Sequence, residues 1–146
     1  MDVKTRYLEV SLNNAPPEKK LQALLEGAVH FIMRARKHLA AGEVDEVHNN
    51  AIRAQNIYLE LLCALDAEAG EWVSNLQGLY YLMFDILLDA NVRKDDARFE
   101  EAQQIGEQIR NLWDEVIAQA RTEIAPVAAS SADPAAMPAQ RLNVAG

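Results

Sequence analysis

The feature that most restricts this chain is the spacing of its apolar residues, which alternates threes and fours through four successive segments. That spacing keeps side chains on one face of a 3.6-residue helix and scatters them over both faces of a strand. Leu21, Leu24, Ala28, Ile32, Ala35 and Leu39 make the first stripe, after a proline-led start at Pro16-Pro17-Glu18. Proline is pre-shaped for a first helical turn, an acidic neighbour complements the helix dipole, and Gly42 marks the stop. The second stripe is Val44, Val47, Ala51, Ala54, Tyr58, Leu61 and Leu65, where Ala51 and Ala54 invite close approach by a neighbouring helix. The third is Val73, Leu76, Tyr80, Met83, Leu87 and Ala90, with a turn expected over Asn91 to Asp96. The fourth is Phe99, Ala102, Ile109, Trp113, Val116 and Ala120, flanked by Ile105 and Leu112.

Helices of this length joined by short connections pack as antiparallel neighbours. The expectation is an all-α, antiparallel four-helix bundle. Residues 1–15 form a short N-terminal segment, 16–121 the bundle domain, and 122–146 an Ala/Pro-rich tail without apolar period that reads as disordered. At 146 residues, half of them apolar, the chain suffices for one core.

The formal net charge of −8 disfavours phosphate backbones and anionic lipid surfaces, so neither nucleic acid nor membrane is an expected partner. No apolar run approaches the ~18 residues of a membrane span, and the first residues carry no secretory pattern, so the expected location is the cytosol. Cys63, the single cysteine, reads as a small buried hydrophobe. Catalytic and nucleotide motifs are absent, as is any Glu-x-x-His of a di-iron bundle, so no enzyme activity, cofactor or metal is expected. His30, His38 and His48 lack partners for an ion; Asp45 and His48, three apart, suit a surface hydrogen bond or a helix cap.

What remains is surplus apolar surface. Val29 and Met33 lie off the first stripe, Ile52, Leu59 and Leu62 off the second, and Leu79, Leu82, Phe84 and Leu88 off the third. A wide core, a homodimer interface and a groove for an amphipathic or extended segment each account for such a surplus.

Several landmarks appear together in one order: Tyr7; Ala15-Pro16-Pro17-Glu18-Lys19; Leu24-Leu25-Glu26-Gly27-Ala28; Ala51 to Ile57; Asn75-Leu76; Leu79-Tyr80; Ala90-Asn91; and Arg110 with Trp113. From about Tyr7 to Trp113 the chain resembles the flagellin-specific export chaperones of the FliS type. It departs in Leu25 and Leu82, where the family carries aromatics, in Pro16 for a capping serine, and in one glycine before Glu71 for two. The resemblance implies a non-enzymatic chaperone. Its client would be the disordered C-terminal segment of flagellin, kept from premature polymerisation and delivered to the flagellar export gate. It also implies that the segment before the first helix, with Tyr7 and Leu8, can occupy part of the groove in the free state. The expected contact residues are Ile52, Ile57, Leu79, Met83, Leu87 and Asn91, with Tyr7 at the edge. The first five fit a core position equally well, and Asn91 fits a helix cap. The expected state is a monomer or weak homodimer, and a structural or regulatory homodimeric bundle without a flagellin client is the alternative.

Overall fold

The computed structural model describes residues 17–66, 68 and 70–130. Four helices fill almost all of it: α1 (Pro17–Ala40), α2 (Val44–Cys63), α3 (Glu71–Arg93) and α4 (Asp96–Ser130). Each packs against its neighbours in sequence, and α4 returns to α1, closing a square antiparallel bundle. The pairing of α1 with α4 shows the antiparallel register directly. Arg36 Nε donates to Asp96 Oδ1 at 2.9 Å, Arg110 Nη1 lies 3.5 Å from Glu26, and Gln22 Nε2 donates to Asp114 at 3.1 Å. Residues descending one helix thus meet residues ascending the other. Asp96 also holds the Arg36 guanidinium above its ordinary pKa, chiefly through that hydrogen bond.

The two ends of the bundle are built differently. At one end both connections are tight. After α1, Gly42 takes φ 75°, Gly42 N–H donates to Leu39 O, and Glu43 N–H donates to His38 O at 2.9 Å. This left-handed cap uses carbonyls that the helix end leaves unpaired. After α3, Lys94 takes the same left-handed position at φ 51°, and Asp95 N–H donates to Ala90 O at 3.1 Å. The expected turn over Asn91 to Asp96 is therefore shorter than its composition suggests. Helix α3 runs on through Asn91, Val92 and Arg93, because a single left-handed residue reverses the chain. At the other end the α2–α3 connection is longer, α1 begins with Pro17 in the first helical position, and α4 continues past the start of α1. Helix α4 reaches Ser130, so the first part of the expected 122–146 tail is helical and the remainder falls outside the described residues.

The core follows the stripes. Small side chains at Ala28, Ala35, Ala51 and Ala54, all fully buried, bring α1 and α2 close, while Tyr58, Tyr80, Phe99 and Met83 fill the centre. Each large side chain so buried contributes roughly 1.5–3 kcal/mol. Trp113 Nε1 donates to Tyr80 Oη at 3.1 Å, which pairs the indole N–H where water is excluded. One stripe needs correction. In α4 the buried line is Phe99, Ala102, Gly106, Ile109, Trp113 and Ile117, with Val116 and Ala120 only partly covered. Val44 is 54% exposed, since it is the first residue of α2 and lies at the bundle's edge.

Candidate partner-binding surface

Helix α2 has three distinct faces. One enters the core through Val47, Ala51, Ala54, Tyr58 and Leu61. A second carries His48, Ile52, Gln55, Leu59 and Leu62, again at three- and four-residue steps. Two bonds place this second face against α3. Gln55 Nε2 donates to the Phe84 carbonyl at 3.3 Å, and Asn91 Nδ2 donates to His48 Nδ1 at 3.0 Å. With 48 opposite 91 and 55 opposite 84, Ile52 falls level with Leu87 and Leu59 with Tyr80, so the exposed neighbours Leu88 and Tyr81 lie one residue further along α3.

The result is a shallow apolar groove along the outside of the α2–α3 seam. Ile52 and Leu59 form one wall, and Tyr81 and Leu88 the other. All four are exposed, Tyr81 at 58%. Phe84 and Leu62 are half-buried between them. From His48 to Leu62 the groove runs about 21 Å at a rise of about 1.5 Å per residue, room for a four-turn helix or a short extended segment. Helix α3 adds further apolar side chains at its outermost edge, where Val92 is 73% exposed.

A second apolar feature sits at the open end of the bundle. A cavity of about 290 Å³ lies between Leu21 and Leu24 of α1, Leu61 and Leu65 at the end of α2, Tyr80 of α3 and Trp113 of α4. Pro17 stands at its rim, with Lys20 and Glu60.

The expected contact residues divide among these settings. Ile52 lies in the groove. Met83 and Leu87 are fully buried beneath it and present no atoms to the surface. Asn91 is 5% exposed and is no helix cap. Its Nδ2 donates to His48, its Oδ1 accepts from Lys94 Nζ at 2.8 Å, and so it ties α2, α3 and the following turn together. Ile57 belongs to the third face of α2, toward α1, where its Cδ1 lies 3.6 Å from the position a Cβ would take on Gly27. Leu79 is half-buried against the core, on the side of α3 that also carries Asp89, whose carboxylate accepts from Arg98 of α4. Tyr7 lies outside the described residues. Leu59, Phe84 and Leu88, visible in sequence as surplus apolar residues, line the groove more directly than most of the expected set. Tyr81 had no such signal, because it adjoins Tyr80 of the core stripe.

Two local expectations are overturned. Cys63 is exposed: two positions beyond Leu61 on a helix is more than half a turn away from the core. Asp45 and His48 do not pair, because His48 turns toward α3 and Asn91. Among the described residues there is no group of three or more His, Cys, Asp or Glu side chains placed to hold a metal ion, and no helix is long and apolar enough to cross a membrane.

A closed bundle whose core is filled, and which still displays a long apolar seam, has the form of a partner-binding module. Comparison with known proteins agrees with that class. The profile of the family described as "Flagellar protein FliS" matches residues 2–120. The flagellar secretion chaperone FliS of Bacillus subtilis is 27% identical over 119 residues, covering 82% of this chain and 89% of its own. That of Salmonella typhimurium is 32% identical over 111 residues, covering 75% and 82% respectively. That of Vibrio cholerae is 24% identical over 110 residues, covering 75% and 81%. The chain belongs to the FliS family.

Proposed function

We propose that this protein is a flagellar export chaperone that holds the C-terminal segment of flagellin in the α2–α3 groove. It prevents that segment from self-associating in the cytosol and delivers it to the flagellar export gate. The observation that carries the reading is the groove itself: Ile52, Leu59, Tyr81 and Leu88 remain exposed on a bundle that has already buried a complete core. Membership of a family whose relatives are named flagellar secretion chaperones supports the choice of client. A segment that folds on binding spends part of its interaction energy on ordering, so the complex can be moderate in affinity and readily released. No covalent chemistry is required of such a chaperone.

The cavity at the open end complements the groove. Pro17, the first residue of α1, lines it. Tyr7 and Leu8, which lie outside the described residues, are in this proposal the side chains that occupy part of the groove in the free protein and are displaced when the client binds. Met83, Leu87 and Asn91 act from beneath or at the end of the groove by fixing α3, while Ile57 and Leu79 hold the flanks of α2 and α3 against their other neighbours.

The test is calorimetric titration of the full chain with a peptide of the last ~40 residues of its own organism's flagellin, with flagellin lacking them as control. Saturable one-to-one binding of the peptide alone, with a negative heat-capacity change, is the expected result. Absence of binding at tens of micromolar, together with sedimentation as a dimer, would replace this reading with that of a self-associating structural bundle.

A further inference from the structure

The end of the α2–α3 groove nearest the two tight turns fixes where one imidazole carries its proton. Asn91 is 5% exposed, and both sides of its amide are engaged. Its Oδ1 accepts from Lys94 Nζ at 2.8 Å, and the same ammonium donates to the Asn91 carbonyl. An ammonium can only donate, so this bond settles which side of the amide is oxygen. The amino group, Nδ2, is left facing His48 Nδ1 at 3.0 Å. An amide amino group also only donates, so Nδ1 must offer a lone pair. A neutral imidazole with a bare Nδ1 holds its single proton on Nε2.

That Nε2–H lies across the ring from the bond to Asn91, and His48 is exposed. Its surroundings are apolar. Val44 and Ile52 stand one turn before and one turn after it on α2, and Leu88 and Val92 continue the α3 wall at the same end, all four exposed. An apolar segment laid over these side chains expels the water that hydrates the N–H. A donor buried without an acceptor costs more than its bond contributes, so the segment that fits must bring an acceptor to this point. Asp45, one turn from His48 in the first turn of α2, disfavours a charged acceptor. An uncharged backbone carbonyl suits the place. In a bound helix the carbonyls left unpaired are those of its last turn.

We infer, on the reading of the groove as the flagellin site, that His48 Nε2–H donates to a last-turn carbonyl of the client helix and so sets its direction and register. The C-terminal end of that helix then points toward the α1–α2 and α3–α4 turns. A helix laid the other way would bring its unpaired N–H groups to a donor, with nothing there to accept from them.

The test is NMR of the full-length protein carrying isotope-labelled histidine, at about pH 8, where an ordinary imidazole is neutral. Long-range nitrogen–proton correlations distinguish a protonated ring nitrogen from a bare one. His48, assigned by the loss of its signals in His48→Gln, should show a protonated Nε2 and a bare Nδ1 in the free protein. A peptide of the last ~40 residues of flagellin should shift the Nε2 signal saturably, in step with its calorimetric binding. A nitroxide at the C-terminal end of the stretch that turns helical should broaden the His48 ring, and one at its N-terminal end should not. His48→Ala should weaken the peptide about three- to tenfold, and His48→Gln, whose amide both accepts and donates, should restore most of that loss. A bare Nε2, an Nε2 signal unmoved at saturation, broadening by the N-terminal label, or full affinity in His48→Ala would each overturn the inference and leave the flagellin reading standing. Failure of the wild-type protein to bind the peptide would overturn both.

Discussion

Gly106 and Tyr58 offer a quantitative test of how the bundle core is packed. A Cβ placed on Gly106 would lie 2.8 Å from the Tyr58 hydroxyl, 3.4 Å from Val29 Cγ2 and 3.6 Å from Met83 Cε. The Tyr58 hydroxyl is buried and has no hydrogen-bond partner. Glycine at position 106 therefore serves close approach of the ring, at a helix-propensity cost of about 1 kcal/mol relative to alanine. Gly106→Ala recovers that amount but forces overlap worth about 1–3 kcal/mol, a net loss of up to about 2 kcal/mol. Tyr58→Phe removes an unpaired buried hydroxyl and should stabilise by about 1 kcal/mol. Once that hydroxyl is gone the closest clash is gone with it, so the double variant should exceed the wild type by about 2 kcal/mol, one part from each change. The singles sum to little, so the cycle should show coupling of about 1–3 kcal/mol. Urea unfolding at constant m-value measures all four corners, and melting temperatures should follow at about 3 °C per kcal/mol for a chain of this size. Additivity within about 0.5 kcal/mol, or loss of stability in Tyr58→Phe, would refute the packing argument.

Tyr80→Phe leaves the buried Trp113 N–H without an acceptor and should cost about 1–3 kcal/mol in urea unfolding; an unchanged midpoint would show that water supplies the bond. Burial pushes the Tyr58 hydroxyl well above its ordinary pKa of 10.0 and Tyr80 up to about 12, the latter held back in part by the bond from Trp113. Both remain protonated when folded while the unfolded chain ionises. Stability is thus fully present below about pH 10 and falls above it by about 1.4 kcal/mol per pH unit for each tyrosine. Tyr58→Phe should remove half of that slope, and urea midpoints that stay level from about pH 9 to 11 would contradict it. Leu59→Glu and Leu88→Glu, on opposite walls of the groove, should each change stability by less than about 0.5 kcal/mol yet weaken the flagellin peptide at least about tenfold in calorimetry. A melt that collapses with binding retained would move both residues from the groove to the core.

The four helices, their order and most of the core were legible in the sequence because the apolar period depends on local geometry alone. Tyr58, Tyr80 and Phe99 had to face inward once their stripes were helical, whatever the helices packed against. The connections were less legible. Helix α3 ends on a left-handed lysine, and no composition rule marks Lys94 as a stop. Gly106 reads as a gap in a stripe until the ring of Tyr58, contributed by another helix, is brought against it. The binding surface shows the same division more sharply. An excess of apolar residues was evident from the sequence, but periodicity cannot tell a side chain facing a neighbouring helix from one facing solvent. The square packing of the bundle made that choice. It buried Met83 and Leu87, turned Ile57 toward α1, and left Ile52, Leu59 and Leu88 along an open seam. Helix formation is decided within a few residues of chain, whereas which face stays uncovered depends on where the other three helices lie.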